Sequence, residues 1–163
     1  MGGRIITGLL VCCFFCVSSA SAGTDTDTFD VTLNIQAGCE VTSPNDLDFG
    51  TASFLDTAIT AQVQFQIRCS SGTSGTISLN GGSGSSGTIT TRTMENGANV
   101  ASYSLYTASN LAFIWGDGTG GSSTVTHTGT GVQETLTIYG QVPNQATPPP
   151  GVYSDTVTIT ATF

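Results

Sequence analysis

The sequence predicts an all-β protein built as a two-sheet sandwich, and two observations carry that prediction. Glycine, serine and threonine dominate the composition, with 21 glycines among 163 residues, which favours turns and β-branched strands over helices. Apolar and polar residues also alternate with the period of a strand, and turn-rich stretches separate the alternating segments as in sandwiches. These stretches include SSGTSG, GGSGSSG, GDGTGGSS and NQATPPPG.

Residues 1–22 have the pattern of a cleaved signal peptide and are left out of the fold prediction. One positive charge, Arg4, precedes the apolar run LLVCCFFCV, and a small-residue cleavage motif ends at Ala22. The apolar run is too short for a permanent membrane anchor. We therefore expect export, with a mature chain that begins at residue 23.

Cleavage would remove three of the 5 cysteines and leave Cys39 and Cys69 in an oxidising compartment. Cys69 shares the apolar face of the strand that it ends, so we expect a disulfide inside the sandwich that ties two strands. The bridge would contribute about 3–4 kcal/mol through loop entropy. The spacing is not Cys-x-x-Cys, which argues against a redox role.

Three strands are predicted from strict alternation of apolar and polar residues. Their apolar faces are Phe29, Val31, Leu33 and Ile35, then Val63, Phe65, Ile67 and Cys69, and at the C-terminus Tyr153, Val157, Ile159, Ala161 and Phe163. Less regular strands are predicted at residues 47–51, 76–80, 101–107, 111–115 and 132–140. The one helix-like stretch, residues 53–61, is interpreted as a loop because of its threonines and flanking strands.

The charge pattern excludes several classes of function. The chain has only 3 Lys or Arg residues against 11 Asp or Glu residues, none of the three is a lysine, and the net charge is -8. It therefore lacks the basic surface on which nucleic-acid binding depends. Without lysine it also lacks the phosphate-loop motif and Schiff-base chemistry.

The sequence offers no motif for a catalytic, cofactor or metal site. His127 is the single histidine and lies between threonines, as an isolated edge-strand residue rather than a metal ligand. Two Gly-x-Gly-x-x-Gly matches, at residues 82–87 and 116–121, precede strand-like rather than helical sequence, so neither predicts a dinucleotide site. Asp117 is interpreted as part of a hairpin turn, because one carboxylate is too few for a calcium loop. We expect neither an enzyme nor a small-molecule substrate.

Several motifs occur in a characteristic order along the chain. They are TFDVTLNIQAGCEV, LDFGT, ISLNGG, RTM, YSLY, WGDGTGG, LTIYGQVP and PGVYSDTVTITATF. On these motifs the sequence resembles the spore coat protein U domain family, which includes subunits of archaic chaperone–usher pili of the Csu type. The resemblance covers nearly the whole chain after residue 22.

The resemblance implies an incomplete immunoglobulin-like β-sandwich that lacks its last strand. A periplasmic chaperone would lend a strand to the gap, and an outer-membrane usher would be the second assembly partner. In the fibre, the N-terminal extension of a neighbouring subunit would fill the same gap. The chain would then consist of a signal peptide at residues 1–22, a donor extension at 23–37 and a single domain at 38–163.

The predicted donor strand consists of residues 28–36, with four apolar residues at alternate positions: Phe29, Val31, Leu33 and Ile35. A competing interpretation is that these residues form the first strand of their own domain. The same apolar face continues past Gly38 to Val41, so the alternation alone is compatible with both interpretations.

The resemblance implies a structural pilus subunit, exported to the periplasm and then displayed on the cell surface, with roles in adhesion and biofilm formation. Its partners would be other copies or related pilins, and no cofactor is expected. An alternative is a secreted spore-coat or extracellular-matrix protein that folds as an independent monomer. A tip adhesin is disfavoured because tips of this type carry an additional domain, and no motif supports a lectin or a hydrolase.

Overall fold

The computed structural model describes residues 21–42 and 45–163. The chain divides into two units, Met1–Asn34 and Ile35–Phe163. The predicted signal peptide lies outside the described residues except for its last two positions. Within the described ranges, no helix is long and apolar enough to cross a membrane.

The larger unit is an all-β sandwich of two antiparallel sheets, which confirms the predicted fold class. In chain order the strands are β1 (Cys39–Thr42), β2 (Ile59–Cys69), β3 (Ser74–Leu79), β4 (Arg92–Asn96), β5 (Asn99–Tyr106), β6 (Val125–Thr128), β7 (Gln133–Val142) and β8 (Ile159–Thr162). The five-stranded sheet has the order β1-β2-β7-β5-β4, and the three-stranded sheet has the order β6-β3-β8. No helix occurs in the part of the chain that the structure describes.

β2 and β7 are the two longest strands, and they pair in the interior of the five-stranded sheet. In β2, Val63, Phe65 and Ile67 are buried, while the glutamines between them are exposed. β7 pairs with β2 over almost its full length, with Phe65 opposite Leu136. A slip of one residue would turn the buried face of β2 to solvent, so burial fixes the register.

Trp115 connects the two sheets through the core. Its side chain is fully buried, and its Nε1–H donates to the carbonyl oxygen of Ile77 in β3 at 3.0 Å. Its ring also packs against Phe65 in β2, with ring centroids 6.1 Å apart. The indole is therefore in contact with both sheets at once, and its one polar atom is satisfied.

Arg92 is a fully buried cation at the start of β4. Its guanidinium donates to the carbonyl oxygen of Asn80 at 2.9 and 2.7 Å and to that of Trp115 at 2.9 Å. Burial lowers the pKa of Arg92, although the nearby carboxylate of Asp155 opposes this change. These hydrogen bonds join β4 of one sheet to the chain that leaves β3 of the other.

The strand predicted at residues 47–51 is absent from the structure. Leu47 and Phe49 are half-buried and alternate with exposed neighbours, as in a strand, but no described strand pairs with them. At this segment the alternation of apolar and polar residues reflects the burial of one face, but the backbone is not paired with a neighbouring strand.

The strand predicted at residues 111–115 is also wrong, apart from isolated bridges at Ile114 and Trp115. Leu111 has a φ of 54° and closes a turn in which its N–H donates to the carbonyl oxygen of Ala108 at 3.0 Å. A left-handed residue interrupts an extended strand, so only the end of this segment is bridged. The strands predicted at 76–80, 101–107 and 132–140 are confirmed as β3, β5 and β7, and the helix-like stretch is a loop up to Ile59.

Cys39 and Cys69 form a disulfide, as the sequence predicts. The two residues lie opposite each other in the ladder between β1 and β2, and Cys69 is fully buried. The bridge therefore ties two adjacent strands of one sheet inside the sandwich.

We expect replacement of both cysteines, Cys39→Ala with Cys69→Ala, to lower the free energy of unfolding by about 3–4 kcal/mol. The physical reason is the lost constraint on an unfolded loop whose ends are separated by 30 residues. Urea denaturation of the purified chain from residue 23 measures this loss. Reduction of the unsubstituted chain is the matched control and should give a similar decrease, whereas an unchanged midpoint in the double variant would contradict the expectation.

Candidate functional site

A groove with a volume of about 560 Å³ opens on the sandwich, and we call it the open groove. Its first wall is the segment of residues 45–49, and its second wall is the segment of residues 153–159 that leads into β8. The floor is mainly apolar and comes from the five-stranded sheet: Val63, Met94, Tyr103, Leu105 and Ile138. The open groove is therefore a gap in the second layer of the sandwich, above an intact first layer.

The first wall is held against the five-stranded sheet by close packing. A Cβ atom on Gly140 of β7 would lie 2.9 Å from Cζ of Phe49 and 3.1 Å from the methyl groups of Leu47, so a larger residue there would displace these side chains of the first wall. The ring of Phe49 also packs edge-on against Tyr103, with centroids 6.1 Å apart. Among the described residues, the backbone of Leu47 and Phe49 makes no hydrogen bond.

The second wall is less regular than the strand predicted at residues 153–163. The ladder between β3 and β8 reaches only to the pair of Leu79 and Ile159. β3 ends at Leu79, so the residues of the second wall that precede Ile159 have no strand of that sheet beside them. One isolated bridge joins Ser154 to Glu95. The second wall is thus paired with neighbouring strands only near its two ends.

Among the described residues, no strand is hydrogen-bonded to the groove-facing side of the second wall. β8 is an edge strand of its sheet, and just before it the N–H of Asn80 donates to the carbonyl oxygen of Thr158 at 3.1 Å on the side of β3. Backbone groups alternate in direction along an extended chain, so those of Val157 point the opposite way. No described residue forms a hydrogen bond with them.

Asp155 occupies an inward-facing position in the second wall and collects several hydrogen bonds. Its carboxylate accepts from the hydroxyl of Tyr103 at 2.6 Å, from the N–H and hydroxyl of Ser83 at 2.6 and 2.8 Å, and from the N–H of Gly84 at 3.2 Å. The cluster fixes the second wall to β5 and to the loop after β3. Gly82, with a φ of 87°, is also required there, because a Cβ atom would overlap the Asp155 carboxylate.

The protonation states of this cluster follow from its hydrogen bonds. Burial alone raises the pKa of a carboxyl group, yet the hydrogen bonds from Tyr103 and Ser83 hold the pKa of Asp155 below its ordinary value. Burial and the hydrogen bond to Asp155 raise the pKa of Tyr103 well above its ordinary value. At neutral pH, Tyr103 is therefore a neutral donor and Asp155 an ionised acceptor.

The four predicted donor residues are all exposed. The exposed fractions are 87% for Phe29, 85% for Val31, 85% for Leu33 and 77% for Ile35. Residues 21–38 contain no strand. Large apolar side chains exposed at alternate positions are unusual for a soluble protein and typically mark an interaction segment.

The other candidate residues have local structural roles. His127 lies on the edge strand β6 and is half-buried. Its Nε2 atom is 3.2 Å from the Glu134 carboxylate. Asp117 accepts from the N–H and hydroxyl of Thr119 at 2.8 and 2.6 Å in a turn, and these bonds lower the pKa of Asp117. In the described ranges, no cluster of His, Cys, Asp or Glu could hold a metal ion, and no helix follows either glycine motif.

The sequence prediction missed the pair of Tyr103 and Asp155. One signal was present, since Asp155 takes an inward-facing position in an otherwise apolar alternation. Its partners Tyr103 and Ser83 are 52 and 72 residues away in sequence, so no local pattern joins them.

Comparisons with known proteins agree on one family. The family model of the Spore Coat Protein U domain matches residues 25–160. Protein U of Myxococcus xanthus is 30% identical over 161 residues, which cover 90% of this chain and 89% of that protein. Among solved structures, the chain is similar to the CsuC–CsuE chaperone–tip adhesion subunit pre-assembly complex from archaic chaperone–usher Csu pili of Acinetobacter baumannii. That match has a TM-score of 0.57 and 27% identity, and it covers 79% of this chain but only 40% of the solved chain.

We expect Tyr103→Phe to lower the free energy of unfolding by about 1.5–3 kcal/mol at neutral pH, because a hydrogen bond to an ionised group is lost. The pKa of Asp155 is lower in the folded state than in the unfolded state, so this stabilisation is complete above the unfolded pKa of about 4. It is lost as the pH falls through the folded pKa.

The measurement is urea denaturation of both proteins at neutral pH and at about pH 3, where the difference between them should shrink. Tyr106→Phe is the matched control, because no described residue forms a hydrogen bond with its hydroxyl. A difference that stays constant across this range would contradict the assigned role of Asp155.

Proposed function

The chain belongs to the spore coat protein U domain family, and we propose that it is a structural subunit of an archaic chaperone–usher pilus. In this proposal the subunits polymerise by donor-strand complementation, and the fibre supports adhesion and biofilm formation. The similarity to a chaperone–subunit complex supports the proposal. The observation that carries it is the open groove with its unpaired edge.

The open groove has the properties of a site for one added strand. A peptide laid along the second wall would pair with the free backbone groups around Val157 and extend the three-stranded sheet beyond β8. Its inward-facing side chains would cover the apolar floor, including Leu105 and Ile138. The incomplete immunoglobulin-like sandwich would thereby gain its missing strand.

Residues 28–36 of a neighbouring subunit are the proposed source of that strand. Phe29, Val31, Leu33 and Ile35 are exposed at alternate positions, as an inserted strand requires. Burial of each would contribute about 1.5–3 kcal/mol before ordering costs. Four such residues provide enough free energy for a persistent fibre.

The chain directly before β1 is hydrogen-bonded to Ser70, the residue that follows β2. The N–H of Ser70 donates to the carbonyl oxygen of Gly38 at 2.9 Å, and its hydroxyl donates to that of Gln36 at 3.3 Å. These bonds hold the link directly before β1.

The proposed assembly route assigns a role to each part of the chain. Residues 1–22 direct export and are removed, residues 23–37 form the donor extension, and residues 38–163 form the domain. In the periplasm a chaperone lends a strand to the open groove, and an outer-membrane usher then exchanges it for the donor strand of the next subunit. The fibre is finally displayed on the cell surface.

A second candidate function is a secreted coat or matrix protein that does not form pili. The similarity to Protein U of Myxococcus xanthus over 90% of this chain favours it. In that case residues 28–36 would complete the fold of the same molecule, and the mature chain would be a stable monomer.

We expect Leu33→Asn to reduce polymer formation by the chain from residue 23 by at least about tenfold, because one buried apolar side chain of the donor is lost. Thr32→Asn is the matched control, since it places the same side chain on the opposite face of the donor strand and should leave assembly nearly unchanged. Analytical ultracentrifugation of the purified chains measures the polymeric fraction. Equal polymer formation by the two variants would contradict the assignment of the apolar face.

Deletion of residues 23–36 should give a chain that still binds its chaperone but does not polymerise. The open groove is intact in this variant, so co-purification of the chaperone reports on the acceptor side alone. Electron microscopy of the cell surface reports on fibre formation. Normal fibres from the deletion variant would refute donation by this segment.

A further inference from the structure

The rim of the open groove carries acidic residues on one side only. Asp46 and Asp48 are exposed and alternate with the inward-facing residues of the first wall. On the second wall the outward positions carry hydroxyl groups, including those of Ser154 and Thr156. No lysine, arginine or histidine occurs among the described residues that line the groove.

Neither arginine of the mature chain is placed to neutralise this rim. Arg92 is fully buried and donates to backbone carbonyl groups in the core. Arg68 pairs with Glu40 at 2.8 Å and does not line the groove. Asp155 faces inward, where Tyr103 and Ser83 satisfy it, so the uncompensated charges of the rim are Asp46 and Asp48.

The proposed donor strand of this chain carries the same sign of charge. Its outward-facing positions are Asp30, Thr32 and Asn34, and the preceding residues include Asp25 and Asp27. No basic residue occurs between residues 23 and 37. Insertion of this strand would therefore bring Asp30 beside an acidic wall.

We propose that the open groove selects its donor strand by charge, and that a strand alternating apolar with basic side chains, from a different protein, fits it better than the acidic strand of a second copy. This inference rests on the proposed function, because it concerns the occupant of the same groove. A strand of that kind would then be the preferred occupant of the open groove. Self-assembly then proceeds against a charge penalty that salt relieves.

The physical basis is the interaction of neighbouring side chains on one face of a sheet. Like charges on adjacent strands weaken pairing and opposite charges strengthen it, by about twofold to fivefold in affinity for each pair. The outward side chains of an inserted strand lie next to those of Asp46 and Asp48. At low salt the screening length exceeds the spacing of neighbouring charges on adjacent strands. The preference for a basic over an acidic strand therefore does not depend on which outward side chain lies directly beside Asp46 or Asp48.

The test measures binding of three peptides that span residues 28–36 and carry a fluorescent label. One has the natural sequence, and the others contain Asp30→Asn or Asp30→Lys. The acceptor is the chain from residue 23 with Val31→Ser and Leu33→Ser, which keeps its charge while its own segment no longer competes. Fluorescence anisotropy is recorded at about 10 mM and at about 1 M salt.

At low salt we expect affinity to increase from the natural peptide to the Asp30→Asn peptide and then to the Asp30→Lys peptide, by about twofold to fivefold at each step. At high salt the three affinities should converge. The ranking should also disappear in an acceptor with Asp46→Asn and Asp48→Asn, where asparagine keeps the side-chain oxygen that accepts from Gly50. Removal of the same charge at two residues that do not line the groove, by Asp56→Asn with Asp117→Asn, should leave the ranking intact.

Three outcomes would overturn the inference. Equal affinities at low salt, or a ranking that survives the loss of Asp46 and Asp48, would show that the rim does not select by charge. Circular dichroism of each acceptor checks that it is folded. If none of the peptides binds at any salt concentration, the donor-strand proposal itself fails, and this inference fails with it.

Discussion

The structure depends on one constraint, which is that β8 ends the three-stranded sheet and no described strand pairs with its outer edge. The edge lies above an apolar floor that includes Leu105 and Ile138. Backbone groups at an edge can be solvated by water, but the apolar side chains below gain nothing until they are covered. A single inserted strand would satisfy both, so the completion of the fold and the assembly of the proposed fibre are one physical event.

Each wall of the open groove has contacts of its own, and both walls also touch Tyr103 on the floor. Phe49 rests on the space left by Gly140, whereas Asp155 is fixed by Tyr103 and Ser83. The groove is therefore present in the structure without an inserted strand. A preformed site lowers the ordering cost of binding, so a variant in which one wall is disordered should bind a strand more weakly. The disulfide ties β1 to β2 in the sheet that forms the floor. The hydrogen bond of Trp115 to Ile77 connects the core to the opposite sheet.

The sequence predicted the fold class and the long strands from composition and from local alternation of apolar and polar residues. It predicted the disulfide from the two cysteines that would remain after cleavage at residue 22 and from the position of Cys69 on an apolar face. β4 escaped prediction because Arg92, a fully buried cation, disrupts the apolar pattern. The ladder expected at residues 47–51 does not form, since pairing depends on a partner strand that the local sequence does not specify. The missing strand, and with it the groove, was predicted only through the family resemblance. The hydrogen bond between Tyr103 and Asp155 was not predicted, because its partners are 52 residues apart and no local pattern joins them.

Amide hydrogen exchange of residues 29–35 tests the central claim most directly. It compares the chain from residue 23 as a dilute monomer with the same chain in its assembled form. The proposed function predicts rapid exchange in the monomer, and in the assembly a slowing of at least about 100-fold, shared with the amide of Val157. Strong protection of residues 29–35 in the dilute monomer would contradict it, because the segment would then complete the fold of its own molecule.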